Sequence, residues 1–369
     1  VIKSANYKNS GNRKYLFSDK SNKLRFSYLY KMKRLLTLLL CLPLLGLAQQ
    51  TINGSITHGG LQRDYILYVP ATYSAGTAVP LVFNFHGYTS NASQQMWYGS
   101  FTEIADTAGF IVIHPEGTLD NSGNTHFNVG WGGSTVDDIG FTSALIDSIS
   151  AEYSIDQNRV YSTGMSNGGY FSYHLACNLS VKIAAIASVT GAMSQYTQAI
   201  CNPSHPTPVM EIHGTADLTV PFNDIISGLG YWRNYNNCNP IADTTIIPDL
   251  VLGDWSTVEH IVFDNGDNGV TTDLFKVING EHTWPGSNFT IGVTNYDINA
   301  SVEIWKFFSR YDINGLISPT EINNITTSKS PKLIKIVDVL GRIAIPKPNT
   351  PLFYIYNDGT VKKLITLGD

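Results

Sequence analysis

Cysteine is scarce: four in 369 residues cannot staple a chain of this length, so a disulfide-built miniature scaffold is excluded. Charge is scarce too, at 14%, and its sign is uneven. Residues 49–318 carry seven Lys and Arg against 24 Asp and Glu. An acidic body of this kind repels phosphate backbones, which argues against nucleic acid as a partner. No group of His and Cys has the spacing of a zinc site, and the sequence calls for no metal and no cofactor. The run Asp264-Asn265-Gly266-Asp267-Asn268-Gly269 has the composition of a calcium loop but not its spacing, and reads as a hairpin turn. Asp137-Asp138 reads as a helix cap rather than a metal site. The composition of a disordered chain is also missing, since 43% of the residues are hydrophobic and 11% aromatic.

The two ends differ from the middle. Residues 1–48 hold ten Lys and Arg against one acid, Asp19. Within them, Met32-Lys33-Arg34 precedes an apolar run, Leu35 to Leu47, that is shorter than the roughly 20 residues of a membrane helix. Gly46-Leu47-Ala48 then offers small residues where a signal peptidase cuts, so residues 32–48 read as a secretory signal peptide and the mature chain is expected to start near Gln49. Residues 1–31 contain no Met and no periodic pattern, and are set aside as a non-native or unstructured leader. After Leu316 the composition changes again. Residues 318–330 form a polar Ser/Thr/Asn-rich linker, and residues 331–369 read as short alternating strands with turns at Asp338-Val339-Leu340-Gly341-Arg342 and Tyr356-Asn357-Asp358-Gly359. This tail resembles the C-terminal sorting domain of the Bacteroidetes type IX secretion system. The resemblance implies a small all-β address label, the type IX machinery as partner, and a secreted or cell-surface destination with no stable membrane span in the mature protein. A small substrate-binding β module is the other reading of the same segment.

Residues 49–317 alternate between two kinds of pattern. Leu81 to Phe85, Phe110 to Ile113, Arg159 to Ser162, Ile183 to Val189, Pro208 to Ile212 and Asp273 to Ile278 are short apolar or β-branched runs, as expected of strands buried on both faces of a parallel sheet. A strand around Tyr65 to Val69 comes first. Val136 to Tyr153, Gly169 to Leu179 and Ser301 to Tyr311 read as helices between or after them. The rhythm predicts a doubly wound, mainly parallel α/β sheet.

One motif sits where such a sheet presents a nucleophile. Gly164-Met165-Ser166-Asn167-Gly168 fits Gly-x-Ser-x-Gly between a strand and a helix, the setting of a nucleophile elbow. The glycines are expected because the turn leaves no room for a Cβ two residues either side of the serine. A serine hydroxyl needs a base, and the base an orienting acid. In chain order the acid is Asp217, in the turn after Ile212-His213-Gly214, with Asp224 as competitor at a helix start. The base is His282, after the final strand. Asn167 and Tyr88 are expected to supply the two backbone N–H groups of an oxyanion hole, with Thr89 as the alternative to Tyr88. His86, beside that loop, reads as a buried structural histidine, or else a second base.

These pieces, with Gly130-Trp131-Gly132-Gly133, Val136 to Phe141 and Gly280-Glu281-His282-Thr283-Trp284-Pro285-Gly286, resemble the secreted polyhydroxybutyrate depolymerase/feruloyl esterase family of α/β-hydrolases over residues 55–311. The resemblance implies a serine carboxylic-ester hydrolase. It places Ser166, Asp217 and His282 at the family's triad positions and pairs Cys177 with Cys201, leaving Cys238 as a free thiol or differently paired. It implies an ester substrate of polymeric type: a polyhydroxybutyrate-like polyester, or a feruloylated or acetylated polysaccharide. Trp131 and Trp284 flank the catalytic loops and are candidates for substrate binding, with core packing as the other reading. A serine peptidase of the same fold and a non-catalytic binding protein are the rival readings; a lipase would need a long apolar lid, which is absent from the sequence.

Overall fold

The computed structural model describes residues 49–317, 333–338, 342–347, 351–356 and 361–365. The leader, the signal peptide and the linker, at 1–48 and 318–330, lie outside the described residues. Two compact units are present, residues 1–316 and 317–369.

In chain order the first unit runs β1 (Gln50–His58), β2 (Leu61–Val69), β3 (Val79–Phe85), α1 (Ala92–Gly99), α2 (Thr102–Ala108), β4 (Ile111–Pro115), β5 (Thr118–Leu119) and β6 (Thr125–His126). It continues with α3 (Asp138–Glu152), β7 (Ile155–Met165), α4 (Asn167–Asn178), β8 (Ala185–Val189), α5 (Gln195–Ala199), β9 (Val209–Gly214) and α6 (Phe222–Tyr235). β10 (Asp243–Ile247), β11 (Thr257–Phe263), β12 (Thr272–Ile278), α7 (Ala300–Phe308), β13 (Tyr311–Asp312) and β14 (Gly315–Leu316) complete it. Ten strands form one sheet in the order β1-β2-β4-β3-β7-β8-β9-β12-β11-β10. The six from β4 to β12 pair in parallel, and both edges are antiparallel. This is the α/β-hydrolase sheet.

The burial patterns follow from position in that sheet. β3, β4, β8 and β9 are buried at every residue, because helices cover both faces. β1, at the edge, alternates between exposed and half-buried. One core cluster lies on each side: Phe83, Phe85, Phe127 and Phe171 belong to one, Val82, Val112, Tyr161 and Phe308 to the other. On the first face Arg63 Nη2 donates to Asp138 Oδ1 at 2.6 Å with both side chains buried, and the guanidinium lies 3.8 Å above the Phe141 ring. Asp138 is therefore a buried tie between β2 and α3, while Asp137 is the cap, accepting from Gly140 N–H. The sequence pattern shows neither this division of labour nor β1, β10 and β11, whose polar and glycine-containing stretches lack the continuous apolar signature.

Cys177, on α4, is bonded to Cys201, while Cys238 is a free, buried thiol whose pKa burial raises. The Asp264–Gly269 run connects β11 to β12, which pair antiparallel, through a short 3-10 turn at Asp267–Gly269.

The second unit contains β15 (Leu333–Val337), β16 (Pro351–Tyr356) and β17 (Val361–Ile365) in one antiparallel sheet. Arg342 donates from Nε to Asp338 Oδ2 at 2.8 Å, and its backbone N–H to Oδ1.

Candidate active site

The sheet delivers every candidate to one edge. Ser166 follows β7, Asp217 follows β9, His282 follows β12 and Tyr88 follows β3, all at carboxyl ends of parallel strands, where open α/β sheets bind ligands. Ser166 is the cap of α4 with φ 53° and ψ −118°, a backbone state that L-residues rarely adopt. The glycines explain how the strain is accommodated. A Cβ on Gly164 would lie 2.6 Å from the Phe85 carbonyl oxygen, and one on Gly168 would lie 2.2 Å from the same atom. The turn therefore packs directly against the end of β3. Gly87 also touches it: a Cβ there would sit 3.4 Å from Ser166 Cβ.

Asp217 and His282 meet. His282 Nδ1 lies 2.7 Å from Asp217 Oδ2, and Asp217 Oδ1 accepts the Thr219 and Val220 amides at 2.8 and 2.9 Å. The carboxylate is buried. Burial pushes its pKa up, but the His282 bond and the backbone amides outweigh burial and hold it below the ordinary carboxylate value. The competitor Asp224 is in the first turn of α6 and has no bond to His282 among the described residues. The Asp217 and His282 loops are joined as well: Thr215 N–H donates to Val277 O at 2.8 Å and Ala216 N–H to Gly280 O at 2.9 Å. The second contact needs Gly214, since a Cβ there would come 2.1 Å from the Gly280 oxygen.

Ser166 and His282 line the same cleft, of about 530 Å³, whose walls are Trp97, Tyr98, Phe289 and Ile291. No hydrogen bond joins Ser166 Oγ to the imidazole in this structure. Such bonds are often long in a free enzyme and shorten on the substrate.

Of the two expected amide donors, Asn167 is the first residue of α4, so its N–H has no carbonyl one turn back. For the Tyr88 N–H no hydrogen-bond partner is found among the described residues, whereas Thr89 N–H is spent on Thr125 O at 2.9 Å. That removes the Thr89 alternative. His86 is buried, with Nδ1 2.7 Å from Gly87 O and Nε2 accepting Gly117 N–H at 2.9 Å. Nδ1 therefore carries the proton, the ring is neutral, and burial pushes its pKa down to about 4. Both nitrogens are committed to backbone, which leaves His86 no capacity to act as a second base.

Residues 63–205 match the family model described as Esterase PHB depolymerase. Over these residues the chain resembles that family. Among its relatives, the bifunctional acetylxylan esterase/xylanase XynS20E of Neocallimastix patriciarum is 28% identical over 275 residues, covering 73% of this chain and 36% of that protein. The probable feruloyl esterase C of Aspergillus clavatus is 28% identical over 250 residues, 63% of this chain and 85% of that one. Feruloyl esterase B of Piromyces equi is 30% identical over 167 residues, 45% of this chain and 31% of that one. The chain thus spans about a third of the first and third of these proteins and most of the second. The protein is a carboxylic-ester hydrolase.

In this esterase the two tryptophans part company. Trp131 is 50% exposed, packs edge-on against Tyr170 and lines a neighbouring polar cleft with Gln195, Gln198 and Asn223. Trp284 is not a wall of the Ser166 cleft. It is 1% exposed, its Nε1–H donates to Ser301 Oγ at 3.0 Å, and its backbone N–H donates to the Tyr98 hydroxyl at 3.0 Å. Two residues after His282, it fastens the histidine loop to the core. Nothing in the spacing of the wall residues Trp97, Phe289 and Ile291 marks them; the fold brings them to one cleft, with the Trp97 and Phe289 rings 4.3 Å apart.

A second buried histidine supports the acid. His213 Nε2 donates to Val220 O at 2.8 Å, a bond that fixes the turn whose amide holds Asp217. Its Nδ1 lies 2.9 Å from Glu211 Oε1, and Tyr173 donates to Glu211 Oε2 at 3.0 Å. A carbonyl only accepts, so Nε2 carries a proton and the Glu211–His213 pair shares one more between them. Burial raises the Glu211 pKa; for His213 burial acts downward, but the facing carboxylate prevails and the pKa is raised.

Proposed function

We propose that this carboxylic-ester hydrolase works through an acyl-enzyme on Ser166, with His282 as base and Asp217 as its orienting acid. Ser166 Oγ attacks the ester carbonyl carbon while His282 Nε2 takes the hydroxyl proton. Asp217 holds the Nδ1–H and stabilises the imidazolium. The carbonyl oxygen, now an oxyanion, is bound by the Tyr88 and Asn167 N–H groups. The tetrahedral adduct collapses, the C–O bond to the alcohol breaks, and His282 returns its proton to the departing oxygen. Water then repeats the sequence on the acyl-enzyme and releases the acid. The observation that carries this reading is the 2.7 Å bond between His282 and the buried Asp217, opening onto the cleft that Ser166 lines.

The substrate is an ester of an extracellular polymer: a polyhydroxybutyrate-like polyester, or a feruloyl or acetyl group on a polysaccharide. The apolar cleft suits the acyl group. Trp131, exposed in a second, polar cleft beside Tyr170, suits the rest of the polymer. Export by the signal peptide and then by the type IX route through the tail would bring the enzyme to a substrate that cannot enter the cell. No helix among the described residues is long and apolar enough to cross a membrane.

Replacing Ser166 tests the mechanism. Ser166→Ala is expected to reduce hydrolysis of p-nitrophenyl acetate by roughly 10³-fold or more, since the remaining oxyanion donors act without a nucleophile. Hydrolysis at the wild-type rate would refute it.

A further inference from the structure

The Asn167 side chain points away from the cleft, into the protein. Its Oδ1 accepts the Phe127 N–H at 2.7 Å and its Nδ2 donates to the Phe127 carbonyl at 3.0 Å, with both residues buried. The side-chain amide thus pairs with both backbone groups of one residue, as a neighbouring strand would. That pairing needs a donor and an acceptor on one short side chain; Asp lacks the donor, and Ala or Leu lacks both.

The same stretch of chain holds the other half of the oxyanion hole. Thr125 O accepts the Thr89 N–H at 2.9 Å, Thr125 Oγ1 donates to Ser90 O at 2.5 Å, and Thr89 is held at φ 68°. Further out, the Tyr88 hydroxyl donates to Asp120 Oδ2 at 2.6 Å and accepts from Asn124 Nδ2 at 2.8 Å. Gly117 N–H, at the base of the β5–β6 excursion, is bonded to His86. The Tyr88 and Asn167 loops come from strands β3 and β7, which are adjacent but share no side-chain bond between these two residues. Residues 117–127 bond to both.

We propose that residues 117–127 form a brace that sets the spacing of the two oxyanion donors, and that the Asn167 side chain is a positioning residue for the acyl-transfer step. This rests on the acyl-enzyme reading given above. Its consequence is selective: the brace matters when negative charge develops on the carbonyl oxygen, and matters little when the neutral ester binds.

The experiment compares the full-length wild type, Asn167→Ala and Thr125→Val. Active sites are counted by the endpoint of p-nitrophenyl phosphonate release, and kcat and KM are measured per counted site. Affinity is measured for a trifluoromethyl ketone, which forms an oxyanion, and for a carboxylic-acid product, which does not. For Asn167→Ala the expected result is a fall in kcat of about 10–100-fold with KM within about twofold, and an equal loss of ketone affinity with product affinity unchanged. Thr125→Val, which loses one bond of the brace, is expected to show the same pattern at a smaller size. A kcat per site within about twofold of wild type in Asn167→Ala would overturn the proposal, as would a lower melting temperature with unchanged ketone affinity, the mark of a merely structural role. If Asn167→Ala does not fold, Thr125→Val decides on the same criteria. Failure of the phosphonate to react with the wild type at Ser166 is a different result, and would overturn the acyl-enzyme reading itself.

Discussion

At the scale of single residues, each proposed catalytic group depends on a neighbour that takes no part in the chemistry. Asp217 is held by two backbone amides and faces His282. Asp217→Asn keeps the shape and, with its oxygen in the Oδ1 place, still accepts both backbone amides, but it then presents an N–H to the imidazole and selects the wrong tautomer. We expect kcat to drop about 10³–10⁴-fold in this variant, with the melting temperature nearly unchanged; a drop of less than tenfold in p-nitrophenyl ester turnover would remove Asp217 from the mechanism. The proposed nucleophile, base and acid could be picked out from chain order because each loop follows a strand with a recognisable apolar run. His213 and Glu211 carried no such signal. Their roles come from a buried contact between residues two apart on one strand and a carbonyl seven positions on. Trp284 illustrates the converse: its nearness to His282 in sequence suggested a substrate contact, but an indole with both its N–H and its backbone amide satisfied inside the core is an anchor.

At the scale of elements, the parallel core was legible and the edges were not. β3, β4, β8 and β9 are fully buried, so burial on both faces wrote an unbroken apolar run into each. β1 reads Gln-Thr-Ile-Asn-Gly-Ser-Ile-Thr-His because one face meets water, and its glycine lies where Tyr65 crosses: a Cβ on Gly54 would come 2.4 Å from that ring. β5 and β6 are two residues each, too short for any period, yet the segment they belong to, residues 117–127, bonds to both loops proposed to hold the oxyanion. A short excursion whose polar side chains bond to distant backbone is invisible to periodicity and visible only once the sheet has brought β3 and β7 together. Arg63 and Asp138, buried in a 2.6 Å pair 75 positions apart, escape for the same reason.

At the scale of the whole molecule, the fold buries three neutral histidines. Burial lowers His86 to about 4, His114 to about 3 and His174 to about 4. All three titrate near 6.5 when unfolded. Between about pH 6.5 and 4 the unfolded chain therefore binds more protons than the native one, and stability falls as the pH is lowered through that window. Glu211, Glu116, Asp138 and His213, whose pKa values are raised, oppose this. Denaturant melts are expected to show lower stability at pH 5 than at pH 7, and equal stability at the two pH values would contradict the assignment of these histidines as neutral. The central claim concerns the serine at the elbow, and its most direct test is the covalent intermediate. Mixing the enzyme rapidly with a p-nitrophenyl ester whose acyl-enzyme hydrolyses slowly should release a burst of one p-nitrophenolate per chain, and peptide mass spectrometry of the quenched protein should find the acyl group on Ser166. A linear time course, with the acyl group absent or on another residue, would contradict it.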